Sequence, residues 1–196
     1  MNLANKLTLI RIVFVPLFLI FMIFNDIPYG TFIATIIFVL ASITDKLDGY
    51  IARSRNQITD FGKFMDPLAD KLLVTTALIA LVGIGVIPSW TVVIIIAREF
   101  AVSGLRSIAA ASGKVIAASW WGKIKTVIQM IAIILLLLNV SIGESMYFTD
   151  MVNSNSSLNF IFNSLPILVL YLAVIVTVIS GIDYFMKNRK VISTNK

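Results

Sequence analysis

The sequence predicts an all-α integral membrane protein of six transmembrane helices with both termini in the cytoplasm. Three observations predict it: an apolar composition, uncharged runs of bilayer length, and basic residues gathered on one side. Of the 196 residues, 59% are hydrophobic and only 13% charged, where a soluble domain carries about 25% charged residues. An ordinary water-soluble enzyme and a solvated disordered chain are both excluded. Cys and His are absent, which excludes disulfides, thiolate nucleophiles, Cys/His zinc sites and imidazole acid–base chemistry. Any catalysis must run on carboxylates, Lys or Arg, hydroxyls, or a hard metal held by oxygen ligands.

A spanning helix needs roughly 20 mainly apolar residues. The first is expected over residues 7–25, because Leu7–Phe24 is apolar apart from Thr8 and Arg11. Lys6 and Arg11 give this run the look of a secretory leader, but Asn25-Asp-Ile-Pro-Tyr29 follows it without a small-residue cleavage site. The second helix, 30–54, grows from the uncharged run Ile27–Thr44 and continues into the charged stretch behind it. The uncharged run Leu72–Ala97 is broken by Gly83, Gly85 and Pro88. That is a hairpin turn between a third helix, 65–84, and a fourth, 89–111. Thr126–Val140 supplies a fifth helix, 123–140, and Leu165–Phe185 a sixth, 165–186. Residues 1–196 read as one transmembrane domain, and the Ser/Asn-rich Asn153–Asn159 reads as a flexible part of the loop 140–164.

Charge then orients the helices. With the N-terminus inside, all 16 Lys and Arg fall on inner segments, while the outer loops hold Asp26, Glu144 and Asp150. The positive-inside rule is obeyed without exception. The net charge of +6 therefore marks one membrane face, where it serves topology and anionic lipid head groups or receives a phosphorylated substrate. Nucleic acid is not an expected partner, since no soluble basic module exists to bind it.

Acids sit among those bases. Asp45 and Asp48 are i, i+3 at the inner end of the second helix; Asp66 and Asp70 are i, i+4 at the start of the third. Each pair shares a helix face, and the short connection sets the pairs opposite each other. An ionisable group at bilayer depth costs about 2.5–3.5 kcal/mol, so the four carboxylates must be neutralised. A salt-bridge network with Lys46, Arg53, Lys63 and Lys71 would do it. So would one or two Mg2+ or Mn2+ ions, the paired-metal clamp of phosphoryl displacement. Gly49, Ala52 and Gly62 leave room beside the carboxylates, either for a large ligand or for close helix packing.

The spacing Asp45-x2-Asp48-Gly49-x2-Ala52-Arg53-x8-Gly62-x3-Asp66-x3-Asp70 resembles the signature of the CDP-alcohol phosphotransferases at every fixed position. The resemblance implies a six-helix membrane enzyme, commonly a homodimer, that displaces CMP from a CDP-linked lipid with an alcohol. It implies Asp45, Asp48 and Asp66 as metal ligands, and Asp70 as both a ligand of the second metal and the general base. Gly49, Arg53 and Thr59 match positions that contact the CDP moiety. The segment Asn5-Lys-Leu-Thr8-Leu-Ile-Arg11 resembles another element bordering the nucleotide, which brings in Asn5 and Thr8. On the residues alone, Arg11 reads as an interfacial anchor that snorkels to the head groups.

The signature is silent on the acceptor alcohol. Arg98, Glu99, Ser103, Gly104 and Arg106 interrupt the fourth helix, and Gly122, Thr126 and Gln129 form a small-polar stripe on the fifth. A hydrogen-bonded helix seam is one explanation. The other is a basic pocket in which Arg98, Arg106, Lys123, Lys125, Thr126 and Gln129 hold an acceptor phosphate. Lys123 and Lys125 are separated by roughly 200° on a helix, so only one is expected to face inward. Ala97–Arg106, Gly122–Gln129 and Ser180-Gly-Ile-Asp183-Tyr184 resemble the branch of the family that uses CDP-diacylglycerol and glycerol 3-phosphate. Cardiolipin, phosphatidylinositol phosphate and phosphatidylserine synthases are the alternatives within the family. Outside it, a divalent-cation transporter would also bury acids among six helices, but all four acids lie at the inner face and no matching outer or midplane polar residues complete a path.

Overall fold

A computed structural model describes residues 3–24, 26–54, 60–113, 116–117 and 119–189, with the side chains of 3–4, 45–54, 60–61, 63–64 and 66–67 left outside the description. The described residues form helices and turns without a strand. The elements are α1 (Leu3–Ile23), α2 (Gly30–Ser54), α3 (Asp60–Gly83), α4 (Ser89–Ala111), α5 (Trp120–Gly143), α6 (Met146–Ser154), α7 (Ser156–Asn159) and α8 (Leu165–Lys187). A π-helical turn, Phe160–Ser164, joins α7 to α8.

Helices α1, α3 and α5 begin four, five and three residues earlier than hydropathy places them. Hydropathy marks the apolar part of a helix, whereas the hydrogen-bonded part continues into polar turns. At α5 the reason is visible, since Ser119 Oγ accepts from Gly122 N at 3.1 Å, an N-cap that starts the helix before its apolar run. The α3–α4 hairpin uses the expected breakers. Gly85 sits at φ 76°, Val86 N bonds Leu81 O at 3.0 Å and Gly85 N bonds Val82 O at 2.9 Å. This is the paired closure of a Schellman motif, which needs a left-handed residue.

The expected flexible loop is instead helical. Asn155 Oδ1 caps α7 by accepting from Ser157 N at 3.0 Å, and buried Val152 anchors α6 to the bundle. Asn139 Nδ2 on α5 donates to Phe162 O at 2.7 Å, pairing a carbonyl of the π-helical turn. Polar composition misled here because Ser and Asn serve as caps as readily as loop residues.

Helix α1 packs on α2 and α3, α8 on α4 and α5, and α5 on α2, with α3 touching α4 and α5. Phe18, Phe38, Leu73, Leu78, Ile95, Ile133 and Leu137 form the core, and Phe18 and Phe38 meet at 6.1 Å between ring centroids. The outer surface is apolar too, with Val13, Ile20, Val93, Leu168 and Ile175 exposed. Helices apolar inside and outside suit a membrane. Among the described residues, Asn5–Ile23, Trp120–Gly143 and Ser156–Lys187 are long and apolar enough to cross one, and Gly30–Thr44 is a shorter apolar helix. Helices α3 and α4 carry charges in the parts that build the cavity described below.

Gly30 fixes the approach of α2 to α1: a Cβ there would stand 2.7 Å from the Phe21 carbonyl oxygen. Backbone cannot yield as a flexible side chain can. Gly30→Ala is expected to destabilise the protein by about 1–3 kcal/mol, read as a lowered melting midpoint in detergent; an unchanged midpoint would mean that α1 and α2 separate freely.

Candidate active site

Lys and Arg cannot be buried cheaply in an apolar bundle without partners. Where α3, α4, α5 and α8 converge, they share acids and hydroxyls around an open cavity of about 560 Å3. That is the size of a small-molecule site. Asp70 and Lys71 enter from α3, Arg98, Glu99, Ser103 and Arg106 from α4, Lys123 and Thr126 from α5, and Tyr184 from α8. A narrow extension of about 50 Å3 shares Asp70, Lys71, Glu99 and Thr126 with it. It runs deeper between α3, α4 and α5, past Thr75 and Lys125 to Gln129.

Glu99 is the hub of the cavity wall. Its Oε1 receives the Lys125 ammonium and lies 3.4 Å from Arg98 Nη1. Arg98 reaches on to α8, where Nη2 donates to Ser180 Oγ at 2.6 Å. Two glycines admit this long side chain: a Cβ on Gly181 would stand 3.2 Å from Arg98 Cγ, and one on Gly122 3.6 Å from Nη2. Lys71 Nζ donates to Ser103 Oγ, tying α3 to α4. At the mouth, Arg106 Nε donates to Tyr184 OH at 2.9 Å, and the guanidinium lies 5.5 Å above the Tyr184 ring. That stacking holds Arg106 over the cavity while the residue stays exposed.

The expected residues are distributed unevenly over this architecture. Asp70 is half-buried and lines both the open cavity and its extension. Asp45, Asp48, Gly49 and Arg53 belong to the last turns of α2 and Asp66 to α3, one turn before Asp70. Their side chains, and Thr59 altogether, lie outside the described residues. Asn5 and Thr8 are buried on α1. Arg11 is 0% exposed, so it does not snorkel to the head groups; it is a core residue of α1.

The helical angle between Lys123 and Lys125 separates them as expected. Lys125 is 2% exposed and paired with Glu99, whereas Lys123 is exposed and borders the open cavity. Thr126 donates to Gly122 O at 2.9 Å, keeping oxygen lone pairs for the cavity. Glu99 was legible as an acid inside an apolar helix, but its role was not, because its partner stands on another helix. Tyr184 stood in the segment Ser180–Tyr184 that resembles the family branch, but that resemblance assigned it no role.

A sequence profile of the CDP-alcohol phosphatidyltransferases matches residues 1–179. A curated relative from Bacillus subtilis, named CDP-diacylglycerol–glycerol-3-phosphate 3-phosphatidyltransferase, is 44% identical over 207 residues, covering 99% of this chain and 98% of its own. A relative of the same name from Rickettsia bellii is 38% identical over 189 residues, 96% of each chain. Another from Haemophilus influenzae is 42% identical over 139 residues, 67% of this chain and 73% of its own.

Proposed function

The chain belongs to the CDP-alcohol phosphatidyltransferase family, and on that premise we propose that it transfers the phosphatidyl group of CDP-diacylglycerol to glycerol 3-phosphate, releasing CMP and phosphatidylglycerophosphate. The observation that carries this reading is the cavity that joins the Asp70 carboxylate to a cationic mouth at Arg106 and Lys123. Relatives at near full length bear the name of that reaction. The enzyme is a multi-pass protein of the cytoplasmic membrane, with six spans and the cavity open to the cytoplasm. Support for this sidedness comes from the helix order, in which the Lys and Arg of the described residues line the cavity or lie toward the cavity end of their helices. On family membership it works as a homodimer, and residues 1–196 act as one domain.

Asp45, Asp48, Asp66 and Asp70 are an oxygen-only donor set on consecutive helices that touch, which fits Mg2+ or Mn2+ and the metal dependence general in this family. When bound, one or two such ions supply electrostatic stabilisation to the pyrophosphate and to the departing CMP. The chain's own residues do the rest. Asn5, Thr8, Gly49, Arg53 and Thr59 hold the CDP moiety, while the acyl chains stay in lipid. Arg106 and Lys123 draw the acceptor phosphate to the mouth, with Arg98 and Lys125 adding positive potential from behind. Asp70 takes the proton of the primary hydroxyl as its oxygen forms the new P–O bond. The bond from that phosphorus to the CMP oxygen breaks, and CMP leaves with the electron pair.

Purified protein given CDP-diacylglycerol, Mg2+ or Mn2+, and glycerol 3-phosphate, phosphatidylglycerol, serine or inositol phosphate singly tests the reading through CMP release. Metal-dependent release with glycerol 3-phosphate alone is expected. Release with a different acceptor would move the assignment within the family, and none in folded protein would overturn it in favour of transport. Arg106→Ala is expected to raise the KM for glycerol 3-phosphate about 10-fold or more, the worth of a charged hydrogen bond, with the lipid KM within about threefold. Equal rises in both would make Arg106 structural.

A further inference from the structure

Gln129 is a buried polar residue to which the transfer reaction gives no task. It stands on α5 where the narrow extension ends, among Leu78, Ile95 and Met130. The residue is 4% exposed, and its amide oxygen has no hydrogen-bond partner among the described residues. Burying an amide unpaired is costly, and a helix seam would have repaid that cost with a partner on a neighbouring helix. Its place on the wall of a recess that starts at Asp70 points instead to a ligand group.

The size and chemistry of the recess limit what that group can be. About 50 Å3 is room for a few waters or for one hydroxyl-bearing carbon. An anion is poorly matched to it. The recess sets the carboxylates of Asp70 and Glu99 against the ammoniums of Lys71 and Lys125, and both ammoniums are engaged, Lys125 by Glu99 and Lys71 by Ser103. Arg106 and Lys123 stand at the open mouth instead. Glycerol 3-phosphate carries its secondary hydroxyl on the carbon between the phosphate arm and the attacking hydroxyl, so an acceptor held at the mouth and at Asp70 presents that hydroxyl beside Asp70, where the recess opens. An amide can accept from a hydroxyl there and, by a half-turn, donate to one.

We propose that Gln129 is a specificity-determining residue that hydrogen-bonds the acceptor's secondary, non-reacting hydroxyl within the Asp70–Gln129 recess. This rests on the reading of glycerol 3-phosphate as acceptor and assigns Gln129 to the hydroxyl end of that molecule instead of its phosphate. Thr75 and Thr126 add hydroxyls on the same walls, and Leu78, Ile95 and Met130 add apolar surface beside Gln129. A site built to pair a hydroxyl rejects an analogue lacking it, because its own polar groups are then stranded.

The test compares glycerol 3-phosphate with 3-hydroxypropyl phosphate, which keeps the attacking hydroxyl and the phosphate but lacks the secondary hydroxyl. CMP release is followed in the wild type, in Gln129→Met and in Gln129→Leu. The wild type is expected to prefer glycerol 3-phosphate by about 10–100-fold in kcat/KM. In Gln129→Met that preference is expected to shrink to about threefold or less, through loss with glycerol 3-phosphate. No preference in the wild type, or the same preference in the variants, overturns the proposal. So does parallel loss of both activities in both variants, the mark of a packing residue or of a bound water only. A wild type that turns over another acceptor and not glycerol 3-phosphate overturns the acceptor assignment itself, a result visible before any variant is made.

Discussion

Asp70→Asn is expected to lower kcat by about 10²–10⁴-fold, the range that a positioned general base contributes. The substitution keeps the shape of the side chain and removes its capacity to take a proton. Asp70 is half-buried at the junction of the open cavity and the recess, so the fold should tolerate the change. Its melting midpoint should stay close to wild type, and CDP-diacylglycerol should still bind. Normal turnover in this variant would refute the assignment of Asp70 as base. Lost turnover together with lost folding would give it a structural part instead.

Glu99→Leu is expected to be the most destabilising single change in the cavity wall. It removes the carboxylate that receives the buried Lys125 and also the contact to Arg98. Stranding a buried charge costs about 3–5 kcal/mol, and less where water reaches the site. Glu99 is 29% exposed on its side chain, which sets the expectation at about 3 kcal/mol. The double variant Glu99→Leu, Lys125→Met should recover most of that loss, because it removes both charges together. Melting midpoints in detergent for the two singles and the double measure the coupling. A double variant as unstable as the sum of the singles would show that the pair is not a unit.

Between them these two residues show how far a sequence can be read. Asp70 was legible because its chemistry is local: i, i+4 from Asp66 on one helix, inside a spacing with few alternative explanations. Glu99 stood out as an anomaly without an assignment, since the lysine that explains it lies on α5. Read from the residues alone as an interfacial anchor, Arg11 was misplaced for the same reason. A helix holds no record of which neighbour will cover it, and an arginine near a helix end looks like a surface anchor until α1 is packed on α2 and α3. The loop 140–164 was misread because Ser and Asn favour caps and loops alike, and the choice fell to Val152 and Asn139, which tie that segment to the bundle.

Membrane character, the turn between α3 and α4 and the family signature all follow from the sequence alone. Each depends on composition or on spacing along a single helix, where 3.6 residues per turn decides which groups share a face. The tertiary structure alone decided that Lys125 is sealed against Glu99 and Lys123 left open. It also decided that Arg98 threads past Gly122 and Gly181 to Ser180, and that a narrow recess leads from Asp70 to Gln129. These are meetings between helices far apart in the chain. Which side chains meet depends on how far each helix is rotated and shifted against its neighbours, and packing sets both.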